Sequence, residues 1–226
     1  AKQIIKSKVL AIDLSLNSLA YGMRKAQQIN LHNITFAQAD INSLESLPEK
    51  FDLIESIGVL HHLEKPDEGW RKLIDKLNKN GLMRIGLYSE IGRSSVIAAR
   101  EFINQNKYKP DLNGIRQCRH DISMLTNNVN VSEVTNFKDY FSTSECRDLI
   151  FHVQEHRYNL LHLEQIFNKL NLEFLGFDGI TSDTLYKFQS EHSGVNDLLS
   201  LKLWNQFELK NPDSFSSMYN FWVRPK

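Results

Sequence analysis

At 226 residues the chain is long enough for one well-buried α/β domain carrying an insertion. Its 27 Lys and Arg balance 27 Asp and Glu, so nothing in the bulk charge favours nucleic acid or an anionic membrane as a partner. No apolar run approaches the length that spans a bilayer. The two cysteines, Cys118 and Cys146, make neither a disulfide framework nor a zinc cluster, and no signal peptide opens the chain, so a cytoplasmic setting is expected. The chain begins at Ala1 and runs almost at once into an apolar strand, the pattern expected of a fragment or a trimmed product.

In chain order, Lys8 to Leu14 (KVLAIDL) is an apolar run ending in Asp13. Ser15 is placed to cap a helix with Leu16, Leu19, Ala20 and Met23 on one face. A carboxylate at a strand end is where nucleotide-binding α/β folds take ribose hydroxyls, although the same residue also serves to cap the next helix. Asn33 to Ile41 (NITFAQADI) repeats the theme with Asp40, which is placed to receive an adenine amine or simply to open a turn. A further weak helix is expected over Asn42 to Lys50.

Phe51 to Leu63 (FDLIESIGVLHHL) organises the chain. A buried-strand run gives way at Glu55 and Ser56, becomes flexible at Gly58 and ends on His61 and His62, as a strand does when it delivers a site to the carboxyl edge of an open sheet. Asp67 to Lys79 reads as a helix with Trp70, Leu73, Ile74 and Leu77 on its stripe, stopped by Asn80-Gly81. Leu82 to Tyr88 is the next strand. This β-α-β-β-α-β order predicts a mainly parallel sheet with helices on both faces.

Helices are predicted over Ser94 to Asn104 and Ile115 to Leu125, with Thr126 to Asn136 as an exposed loop. Residues 93–159 separate one strand from the next helix by far more than a normal connection, so they read as a helical insertion, a lid or substrate pocket, within one domain spanning 1–226. Leu160 to Leu170 is amphipathic, Leu172 to Phe177 is a strand, Asp183 to Glu191 and Asp197 to Leu209 are helical, and Ser217 to Val223 is a closing aromatic strand.

Asp13, Asp40, FDLIESIGVLHHL and the Asn80-Gly81 turn resemble, in order, the successive motifs of class I S-adenosylmethionine-dependent methyltransferases. GLYSEIGR (Gly86 to Arg93), YFSTSECRDLIFHVQEHRYNL (Tyr140 to Leu160) and the late FWV resemble a branch often fused to tetratricopeptide repeats. The resemblance implies a Rossmann-like sheet with a closing antiparallel strand, S-adenosylmethionine as cofactor and S-adenosylhomocysteine as product. It also implies Asp13 and Leu14 at the ribose, Asp40 and Ile41 beside the adenine, and Ser56, Ile57 and Gly58 lining the path to the methyl group. The acceptor is not specified; the repeat association points to a protein partner, and neutral charge disfavours nucleic acid. One departure stands out: no G-x-G-x-G occurs in the chain, and Ala1 to Ser7 reads as the end of the helix that should follow such a loop. The first strand and loop are therefore expected upstream, and this chain alone is expected to bind cofactor poorly.

Methyl transfer from a sulfonium needs alignment more than acid-base help, so His61 and His62 either assist an acceptor or pack and shape the pocket. Tyr88, Tyr140, Arg147, His152, Glu155, His156 and Arg157 supply the polar groups for substrate recognition, or alternatively a network pinning the insertion to the sheet. Two other readings compete. His152-Val153-Gln154-Glu155-His156 satisfies the H-x-x-E-H pattern of inverted zinc proteases, with Glu191 and Glu208 as nominal further ligands. A degenerate, non-catalytic interaction module would account for the missing glycine loop.

Overall fold

The computed structural model describes residues 6–151 and 155–226, so the expectation for the first residues falls largely outside it. The chain divides into two compact units, Ala1–Asp52 with Asp67–Asn78, and Leu53–Pro66 with Lys79–Lys226.

In the first unit, the apolar run becomes β1 (Val9–Asp13), followed by α1 (Leu16–Gln28) and β2 (Ile34–Gln38). β1 and β2 pair in parallel, from Val9 opposite Ile34 to Asp13 opposite Gln38. Ser15 caps α1 as its residue type predicts, its hydroxyl accepting from the Ser18 amide at 3.2 Å. The buried face of α1 is not the expected one. Leu19 and Ala26 point inward, while Leu16 and Met23 are exposed. Gly22 lies on the inward face with them, and a Cβ there would stand 3.0 Å from the Phe36 ring, so close approach to β2 fixes the helix rotation. After β2 the chain makes only a tight turn, Ile41–Ser46, in place of the helix expected over 42–50; Ile41 and Leu44 anchor it.

α2 (Pro66–Asp75) opens with Pro at its first position and Asp67 and Glu68 in its first turn, where the missing N–H is harmless and the helix dipole favours acids. It ends earlier than predicted. Asn80-Gly81 lies inside β4 (Leu77–Tyr88) and is no helix stop; the chain turns at Lys76, whose carbonyl accepts from the Phe51 amide at 2.8 Å. Leu77 belongs to the strand because that ladder has already begun.

The second unit is built on a four-stranded sheet of order β3-β4-β6-β5, with β3 at Phe51–Ile57, β5 at Leu172–Phe177 and β6 at Met218–Pro225. β3 and β4 run parallel: Phe51 bonds beside the start of β4, and the Gly58 amide donates to Gly86 near its end. β6 closes the sheet antiparallel to β4, from Met83 opposite Val223 to Tyr88 opposite Met218, and antiparallel to β5. Alternate residues Met83, Ile85 and Leu87 on β4, and Tyr219, Phe221 and Val223 on β6, are fully buried, the period-two burial that sequence alternation specifies. α7 (Leu160–Lys169), α8 (Ser182–Glu191) and α9 (Leu201–Lys210) add aromatic packing, including Phe188 stacked on Trp204 at 3.7 Å.

Between β4 and α7 lie α3 (Ser94–Asn106), α4 (Leu112–Ser123), α5 (Val129–Ser132) and α6 (Thr143–Ile150). They share a core of Val96, Ala99, Ile115, Cys118, Ile122 and Cys146. The stretch expected as an exposed loop is instead short helical turns with Val131 and Val134 buried; these two of its three valines, scattered among polar residues, are what it packs by.

Candidate functional site

The first unit presents two strand-end carboxylates. Asp13 Oδ1 accepts from the Ser15 amide at 2.8 Å, and Asp40 Oδ1 accepts from the Asn42 amide at 2.8 Å. Each therefore holds a local turn through one oxygen, leaving Oδ2 without a partner among the described residues. Leu14 is 63% exposed beside Asp13, whereas Ile41 is buried beneath its turn. Both carboxylates can accept further hydrogen bonds without giving up their structural ones.

In the second unit, β3 ends at Ile57 and bends at Gly58, whose φ of +76° is the left-handed conformation that favours glycine. Nothing stands within 4 Å of where its Cβ would be, so space opens there. Ser56 is buried, and its hydroxyl lacks a partner among the described residues; Ile57 is half-exposed. Leu60 and His61 then turn inward, leaving His62 at the rim.

Here the structure assembles several of the predicted residues around Tyr88, the last residue of β4. The buried His61 ring stacks on Tyr88 with centroids 3.8 Å apart, and Arg93 Cζ lies 3.7 Å from the same centroid. Two groups that close to one ring can only occupy opposite faces, so Tyr88 is sandwiched between imidazole and guanidinium. His62 meets His61 edge-on at 4.3 Å. Arg93 grips Glu155 with both Nε (3.1 Å) and Nη2 (2.9 Å), while Arg100 Nη2 reaches Glu155 Oε2 at 2.8 Å and the Leu149 carbonyl at 2.9 Å. The His156 amide donates to the His61 carbonyl at 2.8 Å, and the Tyr158 amide to the Tyr88 carbonyl at 3.0 Å. Burial pushes the Tyr88 phenol up, against the pull of Arg93, so the ring acts as a neutral platform.

A second polar knot begins at the next residue. The Ser89 hydroxyl donates to Glu208 at 2.8 Å and stands 3.1 Å from the Tyr219 hydroxyl, which donates to the other Glu208 oxygen at 2.7 Å. Burial pushes the Glu208 carboxyl up, against the two hydroxyls that donate to it.

Other predicted site residues lie elsewhere. Tyr140 belongs to the helical core, its hydroxyl donating to the Arg119 carbonyl at 2.8 Å. Arg147 is exposed beside an open cavity of about 910 Å³ lined by Pro110, Asp111, Ile115 and Thr143. Arg157 is half-buried and close enough to Arg100 to act on its charge. His152 lies outside the described residues. Glu155 and His156 are not helical, Glu155 is committed to two arginines, and Glu208 is committed to Ser89 and Tyr219. Among the described residues no three His, Cys, Asp or Glu stand together as metal ligands.

Sequence reasoning did not single out Arg93, Arg100 or Ser89, and it named Glu208 only as a nominal zinc ligand. The available signal was position: Arg93 and Arg100 fall on the same helical stripe as Val96 and Ile103, and Glu208 on that of Leu201 and Trp204. A charge on an apolar stripe must find a buried partner.

A methyltransferase-domain family model matches residues 1–168, which include both strand-end carboxylates and all of FDLIESIGVLHHL. The chain belongs to the class I S-adenosylmethionine-dependent methyltransferase family. An uncharacterized protein of Synechococcus sp. is 32% identical over 213 residues, covering 90% of this chain and 51% of that protein. The chain therefore spans about half the length of this relative. PKMT2 from Rickettsia typhi superposes with a TM-score of 0.71 at 17% identity, over 100% of this chain and 45% of that one. A second structure of PKMT2, in complex with AdoHcy, gives 0.69 at 16% identity, over 98% and 45%. At these identities the likeness establishes the methyltransferase fold. No helix among the described residues is long and apolar enough to cross a membrane.

Proposed function

We propose that the protein carrying this chain transfers a methyl group from S-adenosylmethionine to an acceptor and releases S-adenosylhomocysteine. The observation that carries the reading is the methyltransferase-domain match over residues 1–168. The residues present suit the nucleoside end of such a cofactor. Asp13 and Asp40 each keep one carboxylate oxygen without a partner among the described residues, one suited to ribose hydroxyls and the other to an adenine amine. Leu14 offers exposed apolar surface and Ile41 sets the turn after Asp40. In the other unit, the turn at Gly58 leaves room where a side chain would intrude, which suits the path to the methyl group. Ser56 and Ile57 lead the strand to that point. No G-x-G-x-G occurs among the 226 residues, so contacts to the methionine end are assigned to none of them.

When bound, the cofactor supplies an already activated methyl group. The chain then has to orient the acceptor and exclude water. Tyr88, held between His61 and Arg93, is a rigid floor for that task, with His62 at its rim.

Calorimetric titration of S-adenosylhomocysteine into the full-length protein tests the reading. Binding is expected, and Asp13→Ala should weaken it roughly tenfold or more, the range for loss of charge-assisted hydrogen bonds. No binding by the unsubstituted protein would overturn methyl transfer and favour a non-catalytic interaction module.

A further inference from the structure

Glu155, with a side chain 1% exposed, lies between Arg93 and Arg100, which are 4% and 16% exposed. Two guanidinium groups against one carboxylate leave a positive charge in a place that water scarcely reaches. Among the described residues, the other charges that act on Arg100 and Tyr88 do not remove it. Arg157 bears on Arg100, and the exposed Asp139 bears on Tyr88, so three cations face two anions. Burial lowers the Arg100 pKa, with Glu155 opposing.

Unmet hydrogen-bonding capacity points the same way. Arg100 Nε and His156 Nε2 are both buried and lack partners among the described residues. Both belong to residues attached to the Glu155 cluster, Arg100 through its ion pair and His156 through the chain. Buried donors of this kind are normally satisfied, and a guanidinium edge is satisfied best by an oxyanion. His156, Arg157 and Tyr88 are only half-buried, so the residues around the two donors are in part open to solvent.

We infer that Arg100 and His156, beside the Tyr88 platform, form a subsite for an anionic group of the methyl acceptor, a carboxylate or a phosphate. This rests on the methyl-transfer reading. Glu155 holds both arginines in place and takes up one of their charges; the anion takes up the other. A neutral or cationic acceptor group would leave that charge buried and unpaired.

The test titrates sodium acetate and inorganic phosphate separately into the full-length protein, reading the melting temperature and binding heat against sodium chloride at equal ionic strength. A saturable response to one of them is expected, acetate assigning a carboxylate and phosphate a phosphoryl group. Arg100→Gln and His156→Phe should each weaken it roughly tenfold or more. His156→Phe leaves the ion pairs intact and serves if Arg100→Gln fails to fold. A response no larger than that to chloride, or one unchanged in both variants, overturns the subsite. S-adenosylhomocysteine binding measured on the same samples separates the two readings. If it persists without an anion response, only the subsite falls; an anion response without it refutes methyl transfer.

Discussion

Glu155→Ala removes the centre of the buried charge cluster. Its carboxylate accepts from Arg93 Nε and Nη2 and from Arg100 Nη2 at 2.8–3.1 Å, with all three side chains at most 16% exposed. Truncation leaves two guanidinium groups facing each other across a small void. Breaking a buried pair by deleting one partner costs about 3–5 kcal/mol, because the remaining charge is stranded. Glu155→Gln keeps the shape and one acceptor oxygen but turns an amide NH2 toward a donor, and should cost about 2–3 kcal/mol. Urea unfolding followed by tryptophan fluorescence and circular dichroism, on wild type and both variants, measures these differences through the midpoint at constant slope. Adding Arg93→Ala to Glu155→Ala should cost less than Arg93→Ala alone, since its partner is already gone. A loss below about 1 kcal/mol for Glu155→Ala, the range of an exposed pair, would refute the buried cluster.

The Glu208 knot predicts a pH dependence. Burial holds the native carboxyl above its ordinary 4.5, so the native state keeps a proton that the unfolded chain releases. Stability from this group is full below pH 4.5 and is lost as pH rises through the native value; Glu208→Gln should flatten that decline in unfolding measured across a pH series. Gly92→Ala would place a Cβ 2.7 Å from Ser217 Cα, a backbone atom that cannot step aside, and should destabilise by about 1–3 kcal/mol, seen as a lowered melting temperature.

The strands and most helices were legible because burial follows period. Met83, Ile85 and Leu87 alternate along β4, and Ile115, Cys118 and Ile122 repeat along α4. Errors arose where a nonlocal contact overrode local pattern. Asn80-Gly81 looked like a helix stop, yet pairing with Phe51 had already begun the strand at Leu77. The α1 face was misread because Gly22, invisible to a hydrophobic count, sets the approach to Phe36. Of the site, Tyr88, His61, Glu155 and His156 were named in the sequence and are brought together. Tyr140 and Arg147, equally polar and nearby in sequence, belong to the helical core and to an exposed cavity. Composition alone could not separate them, because what joins Glu155 to Tyr88 is Arg93, a residue 62 positions away from its partner.

The end of β4 is fixed by contacts distant in sequence. The Ser89 amide donates to the Ser217 carbonyl, Glu90 and Tyr158 bond across a parallel bridge, and the Ser89 hydroxyl reaches Glu208. Tyr88 is thus held by its backbone on one side and by His61 and Arg93 across its ring. Motion of the platform would require breaking the strand bridge or stripping a guanidinium from both a carboxylate and an aromatic face, and neither partner can be replaced by water in a buried setting. Adaptability is left to the rim, where His62, His156 and Arg157 are half-exposed. A substitution at this rim changes what the site presents to solvent without touching the charge cluster that keeps Tyr88 in place.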